Sequence, residues 1–175
     1  MNPVSRLVVP IIAMAVIILV SNILVSIPIN DWLTWGAITF PFAFLVTDLT
    51  NRFYGASSAR VVVLLGFAIG IVASLVFASP RIALASGTAF FVAQMMDVSI
   101  FDKLRSSHWW KAPVISSALS SIVDTALFFS LAFAATGLPW LQWAAGDLAA
   151  KWFVALVALI PYRVFVNSRK APVTS

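Results

Sequence analysis

Apolar residues in this chain come in long unbroken runs, with polar residues gathered between them. The runs cover about 7–27, 33–50, 59–78, 82–103, 113–136 and 141–166. The breaks are Pro28-Ile29-Asn30-Asp31, Asn51-Arg52-Phe53-Tyr54-Gly55, Ser79-Pro80-Arg81, Asp102 to Lys111, and Gly137-Leu138-Pro139. A helix of about 20 mostly apolar residues crosses a bilayer, so each run is long enough to span once tilt is allowed. Period-two alternation is absent, which argues against a transmembrane β-barrel. Main-chain polar groups in lipid must be bonded within their own segment, which leaves α-helices. The pattern predicts an all-α integral membrane protein with six transmembrane helices, forming a single membrane domain over residues 1–175. The first run is too long for the apolar core of a signal peptide. Ser21-Asn22-Ile23 is not a small-residue cleavage site, so the run is read as retained.

Composition sharpens this picture. Hydrophobic residues make up 62% of the chain and charged residues 10%, where a soluble domain carries about 25% charged. Six spans consume roughly 120 residues and leave no room for a soluble catalytic domain. Without cysteine, disulfides and thiolate chemistry are excluded, and with His108 as the only histidine a metal cage or a Ser-His-Asp triad is hard to build. The reading is therefore no enzyme, no cofactor and no metal.

The net charge is +5, but no basic run or motif points to nucleic acid. In a chain this apolar, the basic residues orient it in a bilayer. With six helices both termini share one side. That side holds Arg6, Arg52, Arg60, Lys103, Arg105, Lys111, Arg163, Arg169 and Lys170, while Arg81 stands alone on the other. The positive-inside bias places both termini in the cytoplasm. Trp32, Trp35, Trp140 and Trp143 flank the outer loops and Trp109 and Trp110 an inner one, as an interfacial belt requires.

All six acidic residues are Asp, and most lie within the runs. An ionisable group at mid-membrane costs roughly 2.5–3.5 kcal/mol on insertion scales, so each such residue asks for a reason. Asp124 lies near the middle of the fifth run, on one helical stripe with Ser117, Ser121 and Thr125. Asp97 stands three residues after Gln94 in the fourth run. Asp147 and Lys151 are four apart in the sixth, on one face: either a salt bridge near the outer surface, or a lysine reaching inward to the aspartates. The second run ends with Thr47, Asp48 and Asn51 on one face, after Pro41, which can kink the helix. Small-residue interfaces use polar side chains as interhelical glue, but glue rarely needs a carboxylate. The candidate substrate-binding residues are Asp48, Asn51, Gln94, Asp97, Ser121, Asp124, Thr125 and Lys151. Residues 92–101 also echo 119–128, with Asp and Phe at matching spacing. Because the fourth and fifth helices run in opposite directions, the echo predicts that their polar groups face each other.

Three strings carry a specific resemblance. Thr47-Asp48-Leu49-Thr50-Asn51-Arg52-Phe53-Tyr54-Gly55 resembles the "TDxxNxxYG" signature of the queuosine precursor transporter (VUT) family. Gln94-Met95-Met96-Asp97-Val98 resembles its "QxxDV" segment, and Ile122-Val123-Asp124-Thr125 its "xxDT" segment. Ser21-Asn22-Ile23-Leu24 is similar to its "ANIL" start. The motifs occur in order over about residues 20 to 135. Ser121 and Ala155 depart from it, standing where many members have Gln and Glu. The resemblance implies import of deazaguanine bases, such as 7-cyano-7-deazaguanine, across the bacterial inner membrane.

The chemistry fits independently. A guanine-like edge offers a ring N–H beside an exocyclic amine, which a carboxylate accepts together. Gln94 or Asn51 can pair with the carbonyl side, and flat bases stack on aromatics, with Phe91, Phe101, Phe128 and Tyr54 available. Proton coupling through Asp48, Asp97 or Asp124 and uncoupled facilitation are both open readings. The expected partners are a small nucleobase-like substrate and the lipid bilayer, with a homo-oligomer allowed. The alternative class is a substrate-binding subunit that needs an energising partner, like the S components of energy-coupling-factor transporters. Ala13 and Ala15 do not give the first helix the small-residue docking face it would need. A third class, an intramembrane enzyme, would rest on Asp97 and Asp124 as a di-aspartate site.

Overall fold

A computed structural model describes residues 3–24, 27–77 and 80–168. The chain is built from helices α1 (Pro3–Leu24), α2 (Trp35–Thr39), α3 (Phe42–Tyr54), α4 (Ala56–Phe77), α5 (Pro80–Leu104), α6 (Lys111–Phe133) and α7 (Trp140–Ser168). A small antiparallel hairpin, β1 (Pro28–Asn30) and β2 (Leu33–Thr34), precedes α2. Among the described residues, α1, α5, α6 and α7 are long and apolar enough to cross a membrane, and Ala56–Val72 of α4 is a shorter apolar helix. The tail residues Arg169 and Lys170 lie outside the described residues, as does Ser79 between α4 and α5.

The second apolar run is not one helix from 33 to 50. Its start is strand, and its helix is broken between α2 and α3. Thr34 opens α2 by accepting a hydrogen bond from the Ala37 N–H at 3.3 Å. Pro41 has no N–H to give and stands at the N-cap of α3. The hairpin was also not foreseen. Asn30 Oδ1 accepts from the Trp32 N–H at 2.9 Å and tightens its turn, a side-chain mimic of a backbone turn.

At 13 residues α3 is about 20 Å long, too short to span a hydrocarbon layer of about 30 Å by itself. It lies at the centre, packed against α1, α4, α5, α6 and α7. One apolar cluster joins α1, α3, α4 and α5 through Met14, Ile18, Ala43, Ala59, Val62, Val63, Phe90 and Val98. A second, starting one turn further along α5, joins Phe101, Ala112, Tyr162 and Val166.

The long helices are amphipathic in the sense that lipid demands. On α6 the buried face is Ala112, Pro113, Ser116, Ser117, Ser120, Ser121, Asp124 and Thr125, while Ile115, Leu119 and Ile122 point outward. α5 likewise turns Ala85, Ala89, Ala93, Gln94 and Asp97 inward. Small side chains let the two backbones approach closely. The helices are antiparallel: Arg81 donates to the carbonyls of Leu131 (3.0 Å) and Ala134 (2.8 Å), and Asp97 lies beside Ser116.

Candidate functional site

Two polar centres are buried in the bundle, at different depths. The first is built on α6 and α7. Lys151 has 3% of its surface exposed, yet each of its three N–H donors can meet an oxygen. It donates to Asp124 Oδ2 at 2.7 Å, to Thr125 Oγ1 at 3.0 Å and to Asp147 Oδ2. The Thr125 hydroxyl in turn donates a hydrogen bond to Asp147 Oδ2 at 2.8 Å. The i, i+4 spacing of Asp147 and Lys151 puts both on the face of α7 that meets α6. Lys151 thus makes both of the contacts that the sequence left as alternatives. With one cation and two carboxylates, the centre carries a surplus negative charge.

This centre faces a cavity of about 510 Å³, within the range of small-molecule sites, about 300–1,000 Å³. Asp124, Asp147 and Lys151 form its charged wall, and Phe40, Phe128, Phe129, Phe133 and Trp143 its aromatic one. Hairpin residues Asn30, Asp31 and Trp32 line its mouth, with Ser21 and Asn22 of α1 beside them. Phe40 lies 6.0 Å from the Lys151 ammonium, ring centroid to Nζ, a cation–π distance.

The second centre lies deeper, where α3 crosses α5 and α6. Asp48 accepts from Ser116 Oγ at 3.3 Å and Ser117 Oγ at 3.4 Å. The Asp97 carboxyl lies close to Asp48 and Ser116, with no hydrogen-bond partner for either of its oxygens among the described residues. Among the described residues no ion pair reaches either carboxyl. Next to Asp48, Thr47 donates to Gln94 Oε1 at 2.7 Å, and one turn further on Asn51 Nδ2 donates to the Val98 carbonyl at 2.9 Å. Arg105 donates to the Asn51 carbonyl and, at 2.9 Å, to its Oδ1, while Arg52 donates to the Arg105 carbonyl at 2.7 Å. Gly55 ends α3 with φ +89, a conformation that side chains rarely adopt.

Of the eight candidates, Asp124 and Lys151 line the cavity and Thr125 joins their network. Asp48, Asn51, Gln94, Asp97 and Ser121 are fully buried below it. The echo between α5 and α6 does not place its aspartates opposite each other. Antiparallel packing sets Asp97 level with Ser116, eight residues or about 12 Å of helix from Asp124. A di-aspartate pair of Asp97 and Asp124 is therefore ruled out in this arrangement; the carboxyl partner of Asp97 is Asp48. Of the aromatics considered from sequence, Phe128 lines the cavity, whereas Phe91 packs on Phe67 and Phe101 on Tyr162. Sequence reasoning missed Phe40, Phe129, Phe133, Trp143 and the hairpin as cavity walls. The proline after Phe40 was the available signal, because a break there turns Phe40 out of a regular helix.

A family model described as "Putative vitamin uptake transporter" matches residues 34–79 and 74–166. The chain is 37% identical over 161 residues to the "Probable queuosine precursor transporter" of Haemophilus influenzae, covering 77% of this chain and 68% of that one. It is 34% identical over 177 residues to the "Queuosine precursor transporter" of Escherichia coli, covering 84% and 80%. A Bacillus subtilis relative, also "Probable queuosine precursor transporter", is 27% identical over 161 residues, covering 74% and 69%. No solved structure matches the chain significantly. The ordered motifs on α3, α5 and α6, the family model and these relatives agree: the chain belongs to the queuosine precursor transporter (VUT) family.

Proposed function

We propose that this multi-pass protein of the bacterial inner membrane imports queuosine precursors, deazaguanine bases such as 7-cyano-7-deazaguanine. The observation that carries the reading is the Asp124 carboxylate, held by Lys151 at the wall of an aromatic-lined cavity. A guanine-like edge brings two N–H donors to one carboxylate, and the surplus negative charge favours donors over acceptors. The aromatic walls offer surfaces on which a flat base stacks. Asp124, Thr125 and Lys151 are then the ligand-side residues, and Asp48, Asn51, Gln94, Asp97 and Ser121 the polar layer beneath them.

The same reading has six crossings of one membrane domain, the broken α2–α3 unit being the second, with both termini cytoplasmic. The hairpin and the α6–α7 turn then face the periplasm, and the cavity opens to the side from which an importer takes its ligand. No enzymatic step is assigned to the chain.

The test is uptake in a bacterium unable to make queuosine precursors and lacking its own importer. Each base is supplied at low concentration and queuosine in tRNA is scored by gel mobility. Rescue by a deazaguanine base is expected with the unaltered chain and not with Asp124→Ala, although that variant inserts normally. Losing a charge-assisted pair of about 1.5–3 kcal/mol weakens ligand binding by about 10- to 150-fold. Rescue at full strength by Asp124→Ala would remove the carboxylate from the site. Absence of rescue by any base, with the chain present in the membrane, favours the S-component-like reading, and a pull-down for the energising partner follows.

A further inference from the structure

Asp48 and Asp97 face each other with no cation paired to either, at the point where α3 is most enclosed. Asp48 is 2% and Asp97 0% exposed. Asp48 has hydroxyl donors from Ser116 and Ser117, whereas neither oxygen of Asp97 has a donor among the described residues. Carboxylates only accept, so what the pair lacks is a proton. Placed between them, one proton replaces like-charge repulsion with a hydrogen bond and supplies the missing donor. Among the described residues no group of three or more His, Cys, Asp or Glu side chains gathers that could hold a metal ion.

Among the described residues, the charged groups around the pair make their ion pairs elsewhere. On α6 the pair meets Ser116 and Ser117, and on α7 it meets Tyr162, which shares a small cavity with Asp48. Arg6 on α1 and Arg60 on α4 are exposed. Arg52, one turn after Asp48 on α3, and Arg105 lie near Tyr162, and both are engaged elsewhere: Arg52 with the Arg105 carbonyl, Arg105 with Asn51 and Asp102. A line of buried polar groups leads from the pair towards the cavity. Thr47 engages one end of the Gln94 amide and, whichever way the amide is turned, its other end has no partner among the described residues. The hydroxyls of Ser120 and Ser121 are unpartnered in the same way. Asp124 follows one turn further along the same face of α6.

We infer that the Asp48–Asp97 pair is the proton-carrying site of the transporter, separate from the ligand site at Asp124 and joined to it by Gln94, Ser120 and Ser121. The pair takes a proton from the periplasmic side with the ligand and releases it on the other, so import is proton symport. The ligand named in the test rests on the function proposed above; the proton site does not.

The experiment uses proteoliposomes with the membrane potential clamped and labelled 7-cyano-7-deazaguanine outside. At one proton per base, an outside-acid difference of one pH unit drives about tenfold accumulation by the unaltered chain. Asp97→Asn and Asp48→Asn are expected to equilibrate the base without accumulating it, and Asp97→Asn to keep exchanging labelled for unlabelled base. Accumulation by Asp97→Asn, loss of its exchange, or accumulation driven by sodium instead of pH overturns the inference. A second measurement needs no ligand. The infrared spectrum of the purified chain at neutral pH is expected to show a carboxylic-acid carbonyl band that Asp97→Asn and Asp48→Asn lose or shift. If both variants leave the band unchanged, or the unaltered chain lacks it, the inference falls. Should the unaltered chain carry no deazaguanine, the ligand reading fails and the infrared band alone decides the proton site.

Discussion

Lys151 holds two carboxylates and a hydroxyl with one ammonium, and nothing else described in the bundle can take its place. Removing one partner of a buried ion pair costs about 3–5 kcal/mol, because the charge left behind stays buried. Lys151→Met is therefore expected to lower the unfolding midpoint in detergent, and a second change, Asp147→Asn, to recover part of the loss. Asp147→Asn alone leaves Lys151 and Asp124 matched and should cost much less. Equal stability of all three variants would show that the network does not hold α6 to α7. Much of this centre was legible in the sequence, since Asp124 and Thr125 share a stripe and Asp147 and Lys151 are one turn apart. What spacing within a helix does not give is the register between helices. Spacing alone therefore sets Asp97 against Asp124, whereas its actual carboxyl neighbour, Asp48 on α3, is visible only in three dimensions.

Two glycines set how closely elements approach. A Cβ on Gly66 of α4 would stand 2.6 Å from Met14 Cγ and 3.1 Å from Ile18 Cδ1 on α1. Overpacking of this kind costs about 1–3 kcal/mol. Gly66→Val should lower the thermal midpoint, with Met14→Ala in the same chain restoring part of it. On α7, a Cβ at Gly146 would stand 3.1 Å from the Trp32 carbonyl. Gly146→Leu is expected to push the hairpin off α7 and weaken uptake at low substrate concentration more than at saturation, as uptake kinetics would show. A rate lost equally at both would mean that the hairpin does not shape the cavity. At this scale the long helices were readable from their apolar runs, and the hairpin was not. Its five strand residues carry no alternating pattern long enough to register, and the break at Pro41 sits inside a stretch whose hydrophobicity never falters.

For the molecule as a whole, the proposed topology rests on the uneven distribution of basic residues, which the positive-inside rule assigns to the cytoplasmic side. A fluorescent protein fused to the C-terminus should fluoresce, and alkaline phosphatase fused there should stay inactive, as a cytoplasmic terminus demands. The reverse pattern would invert the cavity and turn the proposed importer outside in. The enclosure of α3 by five other helices was beyond reach from sequence alone. A helix that short reads as the tail of a longer span until its neighbours are seen.

The arginines at the foot of α3 give that helix a mechanical character. Arg52 and Arg105 rivet its last turn to the end of α5, while its first turn hangs from the joint at Phe40 and Pro41. A rod pinned at one end and jointed at the other is a lever. Phe40 is the handle, set in the cavity wall, and Asp48 sits about 12 Å along the shaft. Pressure from a ligand on Phe40 would be delivered as a tilt at Asp48, with no need for the ligand to travel there first.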